Sequence, residues 1–243
     1  MSTVIIPARY ASSRFIGKAL ALIGGTPMVN LVAQRCLQSK ADRVVVVTDD
    51  ERIAEAVRTT RAECVMSPSE LATGTDRVAY VAKNINDDIV INVQGDEPII
   101  PPSRIDEWIA ELERDPSLEM ITACVAFKDE AMAQNPSHVK VVMDSNGNAL
   151  YFSRLPIPFD RDGNINPIRY RHIGIYGFRR KFLLRYAQLG KTPLEQAESL
   201  EQLRALENGV RIKVIKTAYE PVSVDTPEDL VAAEQYSGVL HNG

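Results

Sequence analysis

Short runs of β-branched and aliphatic residues recur through the first half of the chain at residues 4–6, 43–48 (RVVVVT), 63–66 and 89–93 (IVINV). Each is apolar almost from end to end. A strand of that kind is buried on both faces, which a sheet achieves only when other layers cover it. Between these runs lie residues 28–39, 51–61 and 76–83, with apolar side chains at helical spacing. Strand–helix alternation of this sort predicts an α/β fold with a mainly parallel, Rossmann-like central sheet covered by helices. Open α/β sheets gather their ligands at the carboxyl ends of the strands. The residues just after 6, 47 and 93 are therefore the ones to inspect.

The second half has a different texture. Residues 140–143 and 149–152 flank Asp144-Ser145-Asn146-Gly147, a hairpin signal. Proline and polar residues crowd 155–169 before another apolar run at 172–178. The expectation is a single domain over 1–243, with a partly antiparallel insertion at about 129–178 that carries an oligomer contact. Thr192-Pro193-Leu194-Glu195 forms a capping box with proline at the first helical position, and Asn208-Gly209 closes the helix it opens. Thr226-Pro227-Glu228-Asp229 opens a last helix in the same way.

Charge and cysteine usage narrow the classes of partner. Lys and Arg number 28 against 32 Asp and Glu, a net charge of −4 that argues against nucleic acid or an anionic membrane. A local basic site for a small anion stays open. Cys36, Cys64 and Cys124 contain no Cys-x-x-Cys pair and read as buried thiols in a reducing compartment. His138, His172 and His241 stand at no spacing that would complete a zinc site. The apolar run at the N-terminus is too short for a signal peptide, and no stretch reaches the roughly 20 apolar residues of a membrane span. A cytoplasmic location is expected.

Three segments carry the chemistry. The loop at 8–20 follows the first strand and holds Arg9, Arg14 and Lys18 among Ser12, Ser13 and Gly17. Three cations so close together repel one another unless an anion such as a polyphosphate sits among them. The loop is neither a Walker A motif nor a Gly-x-Gly-x-x-Gly turn, and a solvated basic loop would look the same. At the end of the fourth run, Gln94-Gly95-Asp96-Glu97-Pro98 offers a carboxylate that would suit Mg²⁺, or a plain polar turn. Asp225, ahead of the last helix, is a helix-start residue or a second carboxylate for the same ion. Elsewhere, alternation puts His172, Gly174 and Tyr176 on one side of a strand, as a sugar-binding face or a satisfied core histidine. Gly74 and Arg77 would place a helix N-terminus and a cation near an anion. Read this way, the chain is a phosphate-handling α/β protein with two candidate metal carboxylates. A sugar-binding protein or a nucleotide sensor fits that description as well as an enzyme does.

The order of the motifs adds more. IPARYASSR (6–14) with Gly17-Lys18, residues 72–77, VQGDEP (93–98), ALYFSR (149–154), HIGIYG (172–177), LEQLR (200–204) and residues 224–229 follow one another along nearly the whole chain. In that order they closely resemble the 3-deoxy-manno-octulosonate (Kdo) cytidylyltransferase family. The resemblance implies a nucleotide-diphospho-sugar transferase fold and a cytoplasmic homodimer, with the contact in the 151–169 region. It also implies transfer of CMP from CTP to an eight-carbon acidic sugar, with pyrophosphate released, for lipopolysaccharide biosynthesis. Arg9, Ser12, Arg14, Lys18, Gly74 and Arg77 would bind the nucleotide. Asp96 and Asp225 would hold Mg²⁺ and, with Arg9, Arg14 and Lys18, form the catalytic set. Gln94, Arg154, His172, Tyr176, Glu201 and Gln202 would surround the sugar. No His or Glu stands out as a general base, so the resemblance implies that the metal activates the attacking hydroxyl. Two departures stand out: Ile16 and Ala19 replace the prolines usual on either side of Gly-Lys, and Gln196-Ala197 replaces His-Ile. They leave open the 8-amino sugar Kdo8N, less readily a sialic acid, and a non-catalytic nucleotide or sugar binder.

Overall fold

The computed structural model describes residues 1–11, 15–71 and 73–235. The chain divides into two compact units, one of Met1–Arg114, Gly177–Ala187 and Pro221–Gly243, the other of Asp115–Tyr176 and Gln188–Glu220. Strand β1 (Ser2–Ala8) leads through a short 3₁₀ turn (Lys18–Leu20) and the hairpin β2 (Leu22–Ile23) and β3 (Thr26–Pro27) into helix α1 (Met28–Leu37). Then come β4 (Arg43–Thr48), α2 (Glu51–Val57), β5 (Glu63–Met66), α3 (Gly74–Ala82), β6 (Ile89–Asn92) and α4 (Pro102–Arg114). The second unit opens with β7 (Met120–Ala126), α5 (Glu130–Gln134), β8 (Lys140–Met143) and β9 (Ala149–Ser153). Strand β10 (Tyr170–Arg179) ends in the first unit and runs into α6 (Arg180–Tyr186). Helices α7 (Pro193–Glu198) and α8 (Gln202–Glu207) and strand β11 (Ile212–Lys216) belong to the second unit, and α9 (Pro227–Glu234) to the first.

In the first unit the strands run in the order β6-β1-β4-β5, all parallel. The register sets Ile5 beside Asn92 and Ala8 beside Thr48, so the carboxyl ends of β6, β1 and β4 lie side by side. All seven residues of β1 are buried, as are Val44 to Val47 and Ile89 to Ile91. The runs of β1, β4 and β6 thus became covered strands, as the sequence predicts, whereas in β5 Glu63 and Met66 are exposed and Cys64 and Val65 only half-buried, against the expectation for residues 63–66. The last segment of the chain closes this unit: Val224 and Ala233 pack with Ile23, Met28 and Leu31.

The second unit mixes directions. Strand β11 pairs parallel with β7, whereas β8 pairs antiparallel with both β9 and β10. The hairpin predicted at 144–147 is present, with Gly147 at φ +76° and Asp144 Oδ1 accepting from the N–H groups of Asn146 and Asn148.

A second expectation is corrected. The single helix expected from Thr192 to Asn208 is two helices, broken at Ser199, which adopts φ 52° and ψ 49°. The break has an electrostatic reason. Glu195 and Arg204 are both buried and paired, with Arg204 Nε donating to Glu195 Oε2 at 2.8 Å. Nine residues apart on a straight helix they would lie on opposite faces. Only a reversal between them lets the pair close.

Candidate active site

The carboxyl ends of β1 and β6 form a cavity lined by Pro7, Arg9, Lys18, Gln94, Gly95 and Asp96 among others. It lies where the parallel topology concentrates strand ends. Gly95 is there because nothing larger fits: a Cβ would stand 2.9 Å from the Pro7 carbonyl oxygen. The turn that presents Asp96, closed by Glu97 N–H donating to Gln94 O, therefore rests directly on the backbone of β1. Asp96 is then tied to the C-terminal segment. Val224 N–H donates to the Asp96 carbonyl at 3.0 Å, and the Ser223 hydroxyl donates to the buried Glu97 carboxylate. Asp229 caps α9 and accepts from the N–H groups of both Asp225 and Thr226.

Lys18 joins the two carboxylates so presented. Its ammonium stands 2.6 Å from Asp96 Oδ2 and 3.1 Å from Asp225 Oδ1. Burial works against this charge, but Asp96 first and then Asp225 outweigh it and hold the lysine above its ordinary pKa. The turn bearing Lys18 follows Gly17, whose φ of +73° is a left-handed conformation that suits glycine. Gly17 N–H donates to Tyr10 O at 2.9 Å, closing the base of the loop. The Arg52 guanidinium stacks 3.4 Å over the Tyr10 ring while its Nε and Nη2 donate to the Asp50 carboxylate. Arg9 is exposed at the cavity edge. Ser12 and Arg14 lie outside the described residues.

Two of the nucleotide candidates separate here. Gly74 opens α3, and a Cβ added there would stand 3.4 Å from the Pro7 ring and 3.7 Å from Gln94 Oε1, two residues that line the cavity. Arg77 is fully buried and engaged by protein groups. Its Nη2 donates to Asp49 Oδ2 at 2.7 Å and its Nη1 to Ser67 Oγ at 2.5 Å, with Pro68 O and Leu71 O also within reach. It holds the segment ahead of α3 in place. Gln94 lines the cavity and donates from Nε2 to Asn92 Oδ1.

Of the sugar candidates, Gln94 belongs to the first unit and the other five to the second. His172 is buried, its Nε2 2.9 Å from Thr122 Oγ1 and its ring edge-on to Phe152 at 4.9 Å. Burial, aided by Arg171, pulls its pKa down to about 3, so the imidazole is neutral. Tyr176 lies 5.6 Å from it, ring to ring, on the same face of β10. Arg154 spends its guanidinium on backbone: Nε donates to Glu198 O, Nη1 to Pro136 O and Nη2 to Ser199 O. Glu201 is half-buried before α8, and Gln202 is buried with Nε2 lacking a partner among the described residues.

A cytidylyltransferase family profile matches residues 3–212. The 3-deoxy-manno-octulosonate cytidylyltransferase of Geobacter metallireducens is 50% identical over 240 residues, 94% of each chain. That of Pelobacter propionicus is 48% identical over 96% of each. The chain belongs to this cytidylyltransferase family. The structure of a CMP:2-keto-3-deoxy-manno-octonic acid synthetase complexed with CTP superposes with a TM-score of 0.93 at 40% identity, covering 98% of both chains. The 8-amino-3,8-dideoxy-manno-octulosonate cytidylyltransferase of Shewanella halifaxensis is 46% identical over 96% of each chain. This cytidylyltransferase thus has the nucleotide-diphospho-sugar transferase fold that its motifs implied, and it is a CTP-dependent enzyme.

Sequence reasoning missed the residues that support the site in this cytidylyltransferase. Asp49, Tyr10 with Arg52, and Glu97 with Ser223 act only across long separations, and nothing local marks them. Asp229 was within reach, because its place in the Thr226 capping box was legible.

Proposed function

We propose that this cytidylyltransferase transfers CMP from CTP to 3-deoxy-manno-octulosonate and releases pyrophosphate, a step of lipopolysaccharide assembly, with Mg²⁺ held by Asp96 and Asp225. The observation that carries this reading is one cation shared by two carboxylates at the strand ends, on a loop that also bears Arg9. The donor set fits Mg²⁺. Both groups are hard carboxylates, both already face a common positive charge, and Mg²⁺ prefers one or two carboxylates with phosphate and water completing its shell. Among the described residues no group of three or more Asp, Glu, His or Cys side chains is placed to hold a metal ion. When bound, the ion supplies Lewis-acid withdrawal of charge from phosphate oxygen.

The chain's own groups do the rest. Arg9, Arg14 and Lys18 offset the roughly four negative charges of a nucleoside triphosphate, which would otherwise repel an acidic sugar. Gly95, which lines the cavity, lets the Asp96 turn rest on β1, and Gly74 is assigned to the nucleotide at the start of α3. Arg77 acts by fixing the approach to α3. His172, Tyr176, Arg154, Glu201 and Gln202 are assigned to the sugar, His172 as a neutral group and Arg154 through the backbone it fastens at Glu198 and Ser199. No helix among the described residues is long and apolar enough to cross a membrane; the cytoplasmic location is part of the same proposal. The homodimer belongs to the same proposal, through the segment where Leu155, Phe159, Ile165 and Ile168 are exposed.

Pyrophosphate release with CTP and Mg²⁺ tests this directly, with Kdo, Kdo8N and no sugar in parallel. Release with Kdo, well above the other two, is expected. Release favouring Kdo8N would overturn the sugar and keep the chemistry. No release from folded protein that binds CTP would leave a binding protein.

A further inference from the structure

Two like charges are held together in this fold by bonds that do not involve Lys18. Val224 N–H on the Asp96 carbonyl, the Ser223–Glu97 bond and the Asp229 cap fix the Asp96 turn and the start of α9 by themselves. The carboxylates of Asp96 and Asp225 therefore need a cation between them, and the Lys18 ammonium is there, 2.6 and 3.1 Å away. A divalent ion ligated by both carboxylates, at the usual 2.0–2.1 Å or so from each oxygen, would have to enter the same gap. Lysine and metal cannot share it, because each would take the same two carboxylates and their like charges repel at short range.

Lys18 is also able to leave. It stands on a three-residue turn after Gly17, outside the strands, at the end of a flexible four-carbon stem. It lines the cavity with Arg9, on the loop whose other cation is Arg14. A triphosphate drawn to those arginines brings anionic oxygens that compete with Asp96 and Asp225 for the ammonium. The side chain can exchange carboxylate for phosphate without moving the sheet.

Resting on the metal role proposed above, we infer that Lys18 is an internal counter-cation that closes the metal position in the nucleotide-free protein. Triphosphate binding opens the position by drawing the ammonium onto phosphate. Metal and nucleotide then bind with positive coupling, which linkage makes equal from either side. In the absence of nucleotide the two carboxylates are neutralised from within, so free metal gains little by binding.

Equilibrium dialysis of Mn²⁺ against the full-length protein, without nucleotide, tests the inference on binding alone. Lys18→Met keeps the stem and removes the charge, and it should bind Mn²⁺ at least about tenfold more tightly than wild type, the equivalent of roughly 1.4 kcal/mol. Lys18→Arg should bind as weakly as wild type. Lys18→Gln takes the place of Lys18→Met if circular dichroism shows the latter unfolded. A folded, uncharged variant that binds Mn²⁺ no better than wild type overturns the inference. A second arm adds CTP without sugar and compares wild type with Asp96→Asn. Loss of the protein-dependent Mn²⁺ binding is expected there. If it persists in Asp96→Asn, the metal assignment fails and the inference with it. If it is lost while the lysine variants show no gain, the metal assignment stands and the role of Lys18 falls.

Discussion

A single methyl group is enough to disturb the candidate site at Gly95. Its added Cβ would lie 2.9 Å from a backbone oxygen of β1, which cannot rotate away as a side chain would. Gly95→Ala should destabilise the protein by about 1–3 kcal/mol and lower kcat/KM by displacing Asp96. Thermal melts and pyrophosphate assays read the two effects separately. Asp96→Asn should leave the melting temperature within a few degrees and cut turnover by at least about 10²-fold. Near-normal turnover at saturating Mg²⁺ would refute its role. His172 adds a pH signature. Its folded pKa of about 3 lies below the ordinary value, so the unfolded chain takes up the proton first. Its contribution to stability is complete above about pH 6.5 and is lost as the pH falls towards 3, at up to about 1.4 kcal/mol per pH unit. Denaturant titrations from pH 7 to 4 should show a shallower slope for His172→Asn than for wild type.

Among the elements, α7 and α8 are joined by a buried charge pair at a break in the helix. Removing one partner strands the other in the interior, so Glu195→Ala should cost about 3–5 kcal/mol. Replacing both, as in Glu195→Leu with Arg204→Met, should cost distinctly less, and urea melts distinguish the two. Burial opposes ionisation of Glu195, but Arg204 and the Thr192 N–H keep its pKa below the ordinary value. That support is present above the usual carboxylate range and disappears as the pH falls through the lowered pKa. The break marks a limit of sequence reading. Strands β1, β4 and β6 were legible because residues buried on both faces leave an uninterrupted apolar run. The capping boxes at Thr192 and Thr226 were legible because their bonds close within four residues. Ser199 carries no glycine to announce a left-handed turn, and the pair that demands the turn spans nine residues. Arg77 shows the same limit from another side. Its place after Gly74 suggested a phosphate ligand, whereas Asp49 and Ser67, brought in by the parallel register, claim its guanidinium.

At the level of the molecule, both units are assembled from separated stretches of chain. The closing segment of the first unit supplies Asp225 and also fills its core, since Val224 and Ala233 pack on Ile23, Met28 and Leu31. A chain ending at residue 220 should lose activity and also melt at a distinctly lower temperature. A truncated protein as stable as the full chain would show that this segment serves chemistry alone. The same separation explains why the site was only partly legible. Motif order identified Lys18, Asp96 and Asp225 as candidates, but the first two are 78 residues apart and Lys18 and Asp225 are 207 apart. Topology alone brings them to one ammonium.

The dependence of the first unit on its final segment also has a consequence for biosynthesis. Domains emerge from the ribosome N-terminal end first, so Arg9, Lys18 and Asp96 are made long before Asp225. On the proposed roles, a chain released early by a stalled ribosome carries the cationic loop but lacks the second carboxylate. Such a fragment cannot hold an ion between two carboxylates, and it leaves Ile23, Met28 and Leu31 without the Val224 and Ala233 they pack against.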